Sequence, residues 1–204
     1  MTRRLIVLGL ALGLGLAVAG VAGAGWFHVI RGTAGDDVIA GTVHRDYILG
    51  LAGNDQISAD KGRDVVYGGK GNDSIDGGNG LDRLFGGPGD DTITAGNGRA
   101  LIYGGDGNDA LTAGTNGLSR VHGGPGNDTI NGGDRRDFLW GGYGADVENG
   151  GSGNDVLHAL APDNQVDTLD CGPGNHDVAW ERGGEHDVIV NCELVKTVFH
   201  GSDG

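Results

Sequence analysis

The sequence predicts an all-β solenoid of short parallel strands, and three observations predict it. A nine-residue period runs from Gly32 to His158, the eighth position of that period is almost always apolar, and glycine supplies 45 of 204 residues while aromatic residues make up only 5%. A chain so poor in large side chains cannot fill an ordinary globular interior. A stack of similar coils needs only a narrow file of apolar residues.

Residues 1–24 read as a secretory signal peptide. Arg3 and Arg4 precede an apolar run from Leu5 to Val21, and Ala22-Gly23-Ala24 has the small-x-small character of a cleavage site. Cleavage is expected after Ala24, which removes two of the 14 basic residues and none of the 28 acidic ones. The run from 5 to 21 also approaches membrane-spanning length, so retention as an anchor is the alternative. The mature form is expected to be secreted, extracellular and free of the membrane. So acidic a chain is not built for nucleic acid, which needs a basic surface to release phosphate counterions.

Residues 25–158 form the repeat domain. From Gly32 the chain reads GTAGDDVIA, GTVHRDYIL, GLAGNDQIS, ADKGRDVVY, GGKGNDSID, GGNGLDRLF, GGPGDDTIT, AGNGRALIY and GGDGNDALT without a gap. A ten-residue unit, AGTNGLSRVH, follows, and the frame resumes as GGPGNDTIN, GGDRRDFLW, GGYGADVEN and GGSGNDVLH. Of these fourteen units, twelve carry Asp at position six, with Ala100 and Ser119 the exceptions. Position eight is apolar in thirteen, with Glu148 the exception. In a short extended segment position eight points inward while positions seven and nine point out. The glycines let the preceding loop take positive φ and bring carbonyl oxygens close together, and carboxylates at fixed positions suit hard cations.

These units resemble the hemolysin-type calcium-binding (RTX) nonapeptide repeat, G-G-x-G-x-D-x-U-x with U apolar. The resemblance implies a parallel β-roll, a right-handed β-solenoid with two units per turn, in which several Ca2+ ions lie between GGxGxD loops of successive turns. The position-six residues would be the metal ligands. With two units per turn, odd and even units fall on opposite edges. The odd edge carries Asp37, Asp55, Asp73, Asp91, Asp109, Asp128 and Asp146 without a break. The even edge carries Asp46, Asp64 and Asp82, then Ala100 and Ser119, then Asp137 and Asp155 as weaker sites. Closely stacked carboxylates repel unless a cation separates them. On the even edge arginine can stand in for a missing ion.

The two edges also differ in charge and outward residues. Odd units contain 12 acidic residues and one base, Lys70, whereas even units contain 7 acidic and 8 basic residues. Position nine of even units reads Leu49, Tyr67, Phe85, Tyr103, His122, Trp140 and His158, a column of mostly large rings. Two readings of it stay open. The rings stabilise the sheet by contact between turns, or Tyr67, Phe85, Tyr103 and Trp140 form a recognition face for a glycan, cell-wall polymer or protein surface.

Residues 159–204 continue as degenerate closing coils and a C-terminal cap, with Asp-led strands at Asp167, Asp177 and Asp187. Trp180 falls where the ring column would continue. Cys171 and Cys192 lie 21 residues apart, close to one looser turn, and a disulfide there closes a loop worth about 3 kcal/mol in the chain-entropy model. No HExxH or GxSxG occurs, and His176, His186 and Glu181 read as solvated turn residues. The expected function is calcium binding by a structural or adhesive module rather than an enzyme. The alternative is a β-helix enzyme of the polysaccharide-lyase kind.

Overall fold

The computed structural model describes residues 4–6 and 27–199. The expected signal, and with it the choice between cleavage and anchoring, lies outside the described residues except for the strand Arg4–Ile6, which pairs in parallel with residues 37–39.

All 20 strands pair in parallel and no helix occurs among the described residues. Strands of odd units pair with odd units, as Ile57 does with Ile39 and Ile75. Strands of even units pair with even ones, as Val66 does with Ile48 and Leu84. The step is therefore 18 residues, two units per coil, and the chain forms a β-roll of two facing sheets with about 10 turns. The ten-residue unit spends its extra residue in a turn at 115–117 and leaves the strands in register, with Val121 opposite Ile102. The roll also begins before the first recognisable unit. His28–Arg31 pairs with Asp46–Ala52 and places Ile30 against Ile48.

The period-two pattern of a strand decides which residue enters the core. In Thr92–Thr94 the outer two residues are exposed and Ile93 is buried, and the same holds in Ser74–Asp76 around Ile75. Stacked coil on coil, Ile39, Ile57, Ile75, Ile93 and Leu111 face Ile48, Val66, Leu84 and Ile102 in one narrow double file. The core is as thin as the sequence implies.

In the odd loops position one leaves no room for a side chain. An added Cβ on Gly104 would lie 2.8 Å from the Gly123 carbonyl oxygen and closer still to Asp109 Oδ2. Further along the same loop Gly107 sits at φ 135°, a conformation that side-chain-bearing residues avoid. At the C-terminal end Cys171 and Cys192 form a disulfide with Cα atoms 5.2 Å apart. It joins two successive coils of the odd sheet, since Asp170 pairs with Val190.

Gly104→Ala should therefore lower the thermal midpoint of the calcium-bound chain by several degrees. Gly35→Ala, with nothing within 4 Å of the added carbon, should change it little, and calorimetric melting of the two variants checks the contrast.

Candidate metal sites

All twelve sequence-predicted aspartates are buried, in two columns along the roll. The cause is a backbone relay. Oδ1 of Asp55 accepts the N–H of Asp37 at 2.8 Å, Oδ1 of Asp73 accepts that of Asp55 at 2.8 Å, and Asp91, Asp109, Asp128 and Asp146 continue at 2.7–2.8 Å. One oxygen of each carboxylate is thus fixed on the coil before it. The other is left over: Oδ2 of Asp55, Asp73, Asp91, Asp109, Asp128 and Asp146 is buried and has no hydrogen-bond partner.

A buried carboxylate oxygen without a partner is costly, and its surroundings show what fits it. The position a Cβ would take on Gly86 lies 2.6 Å from the Gly104 carbonyl oxygen and next to Asp91 Oδ2, and the arrangement recurs at Gly104 with Asp109 and at Gly123 with Asp128. The odd loops from Gly32 to Gly123 therefore each present a carboxylate oxygen and a neighbouring coil's carbonyl to the same small space. No three acidic, His or Cys side chains converge anywhere among the described residues. A donor set here draws on backbone carbonyls beside the carboxylates, a mixture that calcium readily takes.

The even column is less uniform. Asp64 and Asp155 each keep an unpartnered Oδ2. Asp46 instead receives Thr42 N–H at 2.6 Å and the Thr42 hydroxyl, and Asp137 receives Gly133 N–H at 2.8 Å on its second oxygen. Asp82 accepts Asp64 N–H at 2.9 Å, after which Ala100 interrupts the relay and only the Ser119 hydroxyl, 3.4 Å from Ala100 N, replaces it. Among the described residues no guanidinium lies within ion-pair distance of a carboxylate, although Arg45 and Arg136 act from farther off against the upward shift of Asp64 and Asp155. The arginine side chains of the even units, at positions four, five and seven, are exposed.

Electrostatics follow from the burial. Desolvation, with the neighbouring carboxylates adding to it and the backbone N–H opposing, pushes Asp73 and Asp109 up to about 6 and Asp91 and Asp128 up to about 7. In the even column Asp137 rises to about 6 and Asp155 to about 7 for the same leading reason. Glu148, fully buried at a core position between Ile130 and Leu169, is pushed by burial to about 8 and so stays protonated at neutral pH. It accepts the N–H groups of Gly141 and His158.

Three features of the site escaped the sequence reading. The position-five column of odd units is a second relay, in which Asn72 N–H donates to Asn54 Oδ1 at 2.8 Å, Asp90 N–H to Asn72 Oδ1 at 3.0 Å and Asn108 N–H to Asp90 Oδ1 at 2.8 Å. The recurrence of Asn or Asp there was its signal. The closing coils also extend both columns: Asp146 N–H donates to Asp167, Asp167 to Asp187, and Asp155 to Asp177. Finally, His28 stands at the head of the even column with Nδ1 3.2 Å from Asp46 Oδ1.

The ring column proves to be a continuous stack. Tyr67, Phe85, Tyr103, His122, Trp140 and His158 lie with centroids 4.3–5.4 Å apart and planes within 9°. Trp180 continues it at 6.2 Å, and Lys196 covers Trp180 at 4.5 Å from its centroid. The faces of these rings are spent on each other, which supports the stabilising role and leaves only edges for a partner. His176 and His186 precede strands of opposite sheets, Val178–Arg182 and Val188–Val190, and are not brought together.

Two outcomes are expected. Asp91→Asn should lower calcium stoichiometry and stability more than Asp137→Asn, because Asp91 loses an unpartnered oxygen and Asp137 a hydrogen-bonded one; equal losses by calorimetry would contradict this. In chelator, the folded carboxyls hold protons up to about 6 or 7 whereas unfolded ones release them near about 4. The folded state thus binds more protons in that window, and stability should fall as pH rises through it. The same circular dichroism spectrum in chelator at about pH 5 and at about pH 8 would contradict the desolvated column.

A search of the curated proteins gives no match. A family model, the RTX calcium-binding nonapeptide repeat, matches in 4 copies over residues 29–57, 49–84, 85–116 and 122–157. With its 18-residue coil, its columns of buried aspartate and these matches over more than half its length, the chain belongs to the RTX calcium-binding nonapeptide repeat family.

Proposed function

We propose that this chain is a secreted protein that folds on binding several calcium ions and serves outside the cell as a structural or adhesive module, not as an enzyme. The observation that carries the reading is the odd column, in which buried carboxylates of successive coils each keep one oxygen without a partner. Asp37, Asp55, Asp73, Asp91, Asp109, Asp128 and Asp146 supply the principal ligands, with Asp64 and Asp155 on the even edge. Asp82 borders the interruption, and Asp46 and Asp137 contribute less because their second oxygens already accept protein hydrogen bonds.

Millimolar extracellular calcium suits low-affinity sites of this kind. A chain that cannot complete its loops without the ion stays unfolded where calcium is scarce and folds after export. The apolar run that precedes Ala24 supports the export route. The lyase-like alternative would need an acid and a base placed together on an outer face, and no observation favours it.

Expression of the full chain with culture fractionation tests the extracellular part. The protein should accumulate outside the cells with Gly25 as its first residue by mass spectrometry. Material that stays with the membrane and keeps residues 1–24 would overturn the secreted reading.

A further inference from the structure

The interruption of the even column coincides with an arginine cluster. Around Ala100 a shallow cleft of about 270 Å³ is lined by Arg63, Arg83, Arg99 and Arg120 together with Leu81 and Leu101. All four arginines are exposed, and among the described residues none has a carboxylate within ion-pair distance. Asp82 lies buried at the floor with one oxygen committed to Asp64 N–H. Ala100 and Ser119 are the positions at which the repeat would otherwise put two more carboxylates. Losing them gives up calcium ligands and lowers the negative charge beneath the cleft.

The arginines are also ordered along the roll. Position seven of the even sheet reads Val65, Arg83, Leu101 and Arg120 in paired register, while position five sets Leu81 against Arg99. Each coil therefore offers one arginine and one aliphatic residue, and the arginine changes column at every step from Arg63 to Arg120. Like-column charges stand two coils apart and avoid one another, and the row advances by about 5 Å per coil. The result is a zigzag of cations parallel to the axis on a chain with 28 acidic residues.

We infer that this zigzag binds a linear anionic polysaccharide, with sulfate or carboxylate groups taken by the guanidinium forks and sugar carbons lying on Leu81 and Leu101. Guanidinium pairs with planar or tetrahedral oxyanions through two parallel hydrogen bonds. A polymer with regularly spaced charges meets successive coils in a way that a single small anion does not. Single-stranded nucleic acid is disfavoured because its bases need free aromatic faces, and the rings beside the cleft are stacked on one another.

The test is binding of the full chain, at fixed millimolar free calcium, to dextran sulfate, carboxymethyl dextran and neutral dextran. The chain should bind at least one charged polymer and not the neutral one, and the response to the two charged polymers identifies the anionic group. Arg83→Gln/Arg99→Gln/Arg120→Gln should lose about tenfold or more in affinity with an unchanged circular dichroism spectrum. The control Arg31→Gln/Lys70→Gln/Lys196→Gln, with the same change in net charge, should lose far less. If the cleft triple does not fold, Arg99→Gln alone should still show part of the loss. Equal losses in the two triples, or no binding beyond that of neutral dextran, would overturn the inference. Binding of a single-stranded oligonucleotide as tight as that of the charged polymers and dependent on the same arginines would overturn the choice of partner.

Discussion

The hydrogen bond from a backbone N–H to the aspartate one coil later sets the geometry of the whole roll. It fixes one carboxylate oxygen inside the stack, as with Asp73 N–H on Asp91 Oδ1 at 2.7 Å, and so forces the other to be buried as well. The loop glycines follow from it, because the second oxygen occupies the space a Cβ would need at Gly86 or Gly104. At ordinary strand spacing neutral coils would stack freely, but here every added coil adds another desolvated carboxylate. A cation or a proton must answer that cost. The geometry that stacks the coils is the same geometry that leaves carboxylate oxygens open to a cation.

That constraint also explains the asymmetry between the edges. The odd edge keeps its relay unbroken from Asp37 to Asp187, and the position-five Asn and Asp residues close the outer loop with a relay of their own. The even edge breaks at Ala100, and there the sheet carries stacked rings from Tyr67 to His158. Where the metal column fails, ring stacking between coils supplies cohesion that does not depend on calcium. The disulfide secures the last coils.

Much of this was legible in the sequence because the repeat is one-dimensional. The period gave the coil, parity gave the two sheets, and position eight gave the core file, each resting on the strict alternation of side chains along a strand. The 21-residue separation of Cys171 and Cys192 was readable for the same reason. Ring orientation was not, since a column of aromatic residues can present faces or edges outward and only packing decides between them. Nor was the first coil, whose His28 and Ile30 carry no glycine signature. The internal hydrogen bonds of Asp46 and Asp137 depend on Thr42, which stands where the consensus has glycine, and on the Gly133 backbone. Glu148 marks a departure in the core file, but its protonation follows from complete burial.

The most direct measurement is far-UV circular dichroism of residues 25–204 at about pH 8, in excess chelator and again in millimolar calcium. At that pH the column carboxylates, with values of about 6 to 7 in the roll, are mostly ionised and hold few protons to replace the ion. The account predicts a largely disordered spectrum in chelator that becomes β-rich when calcium is added. The same β-rich spectrum in both solutions would contradict it.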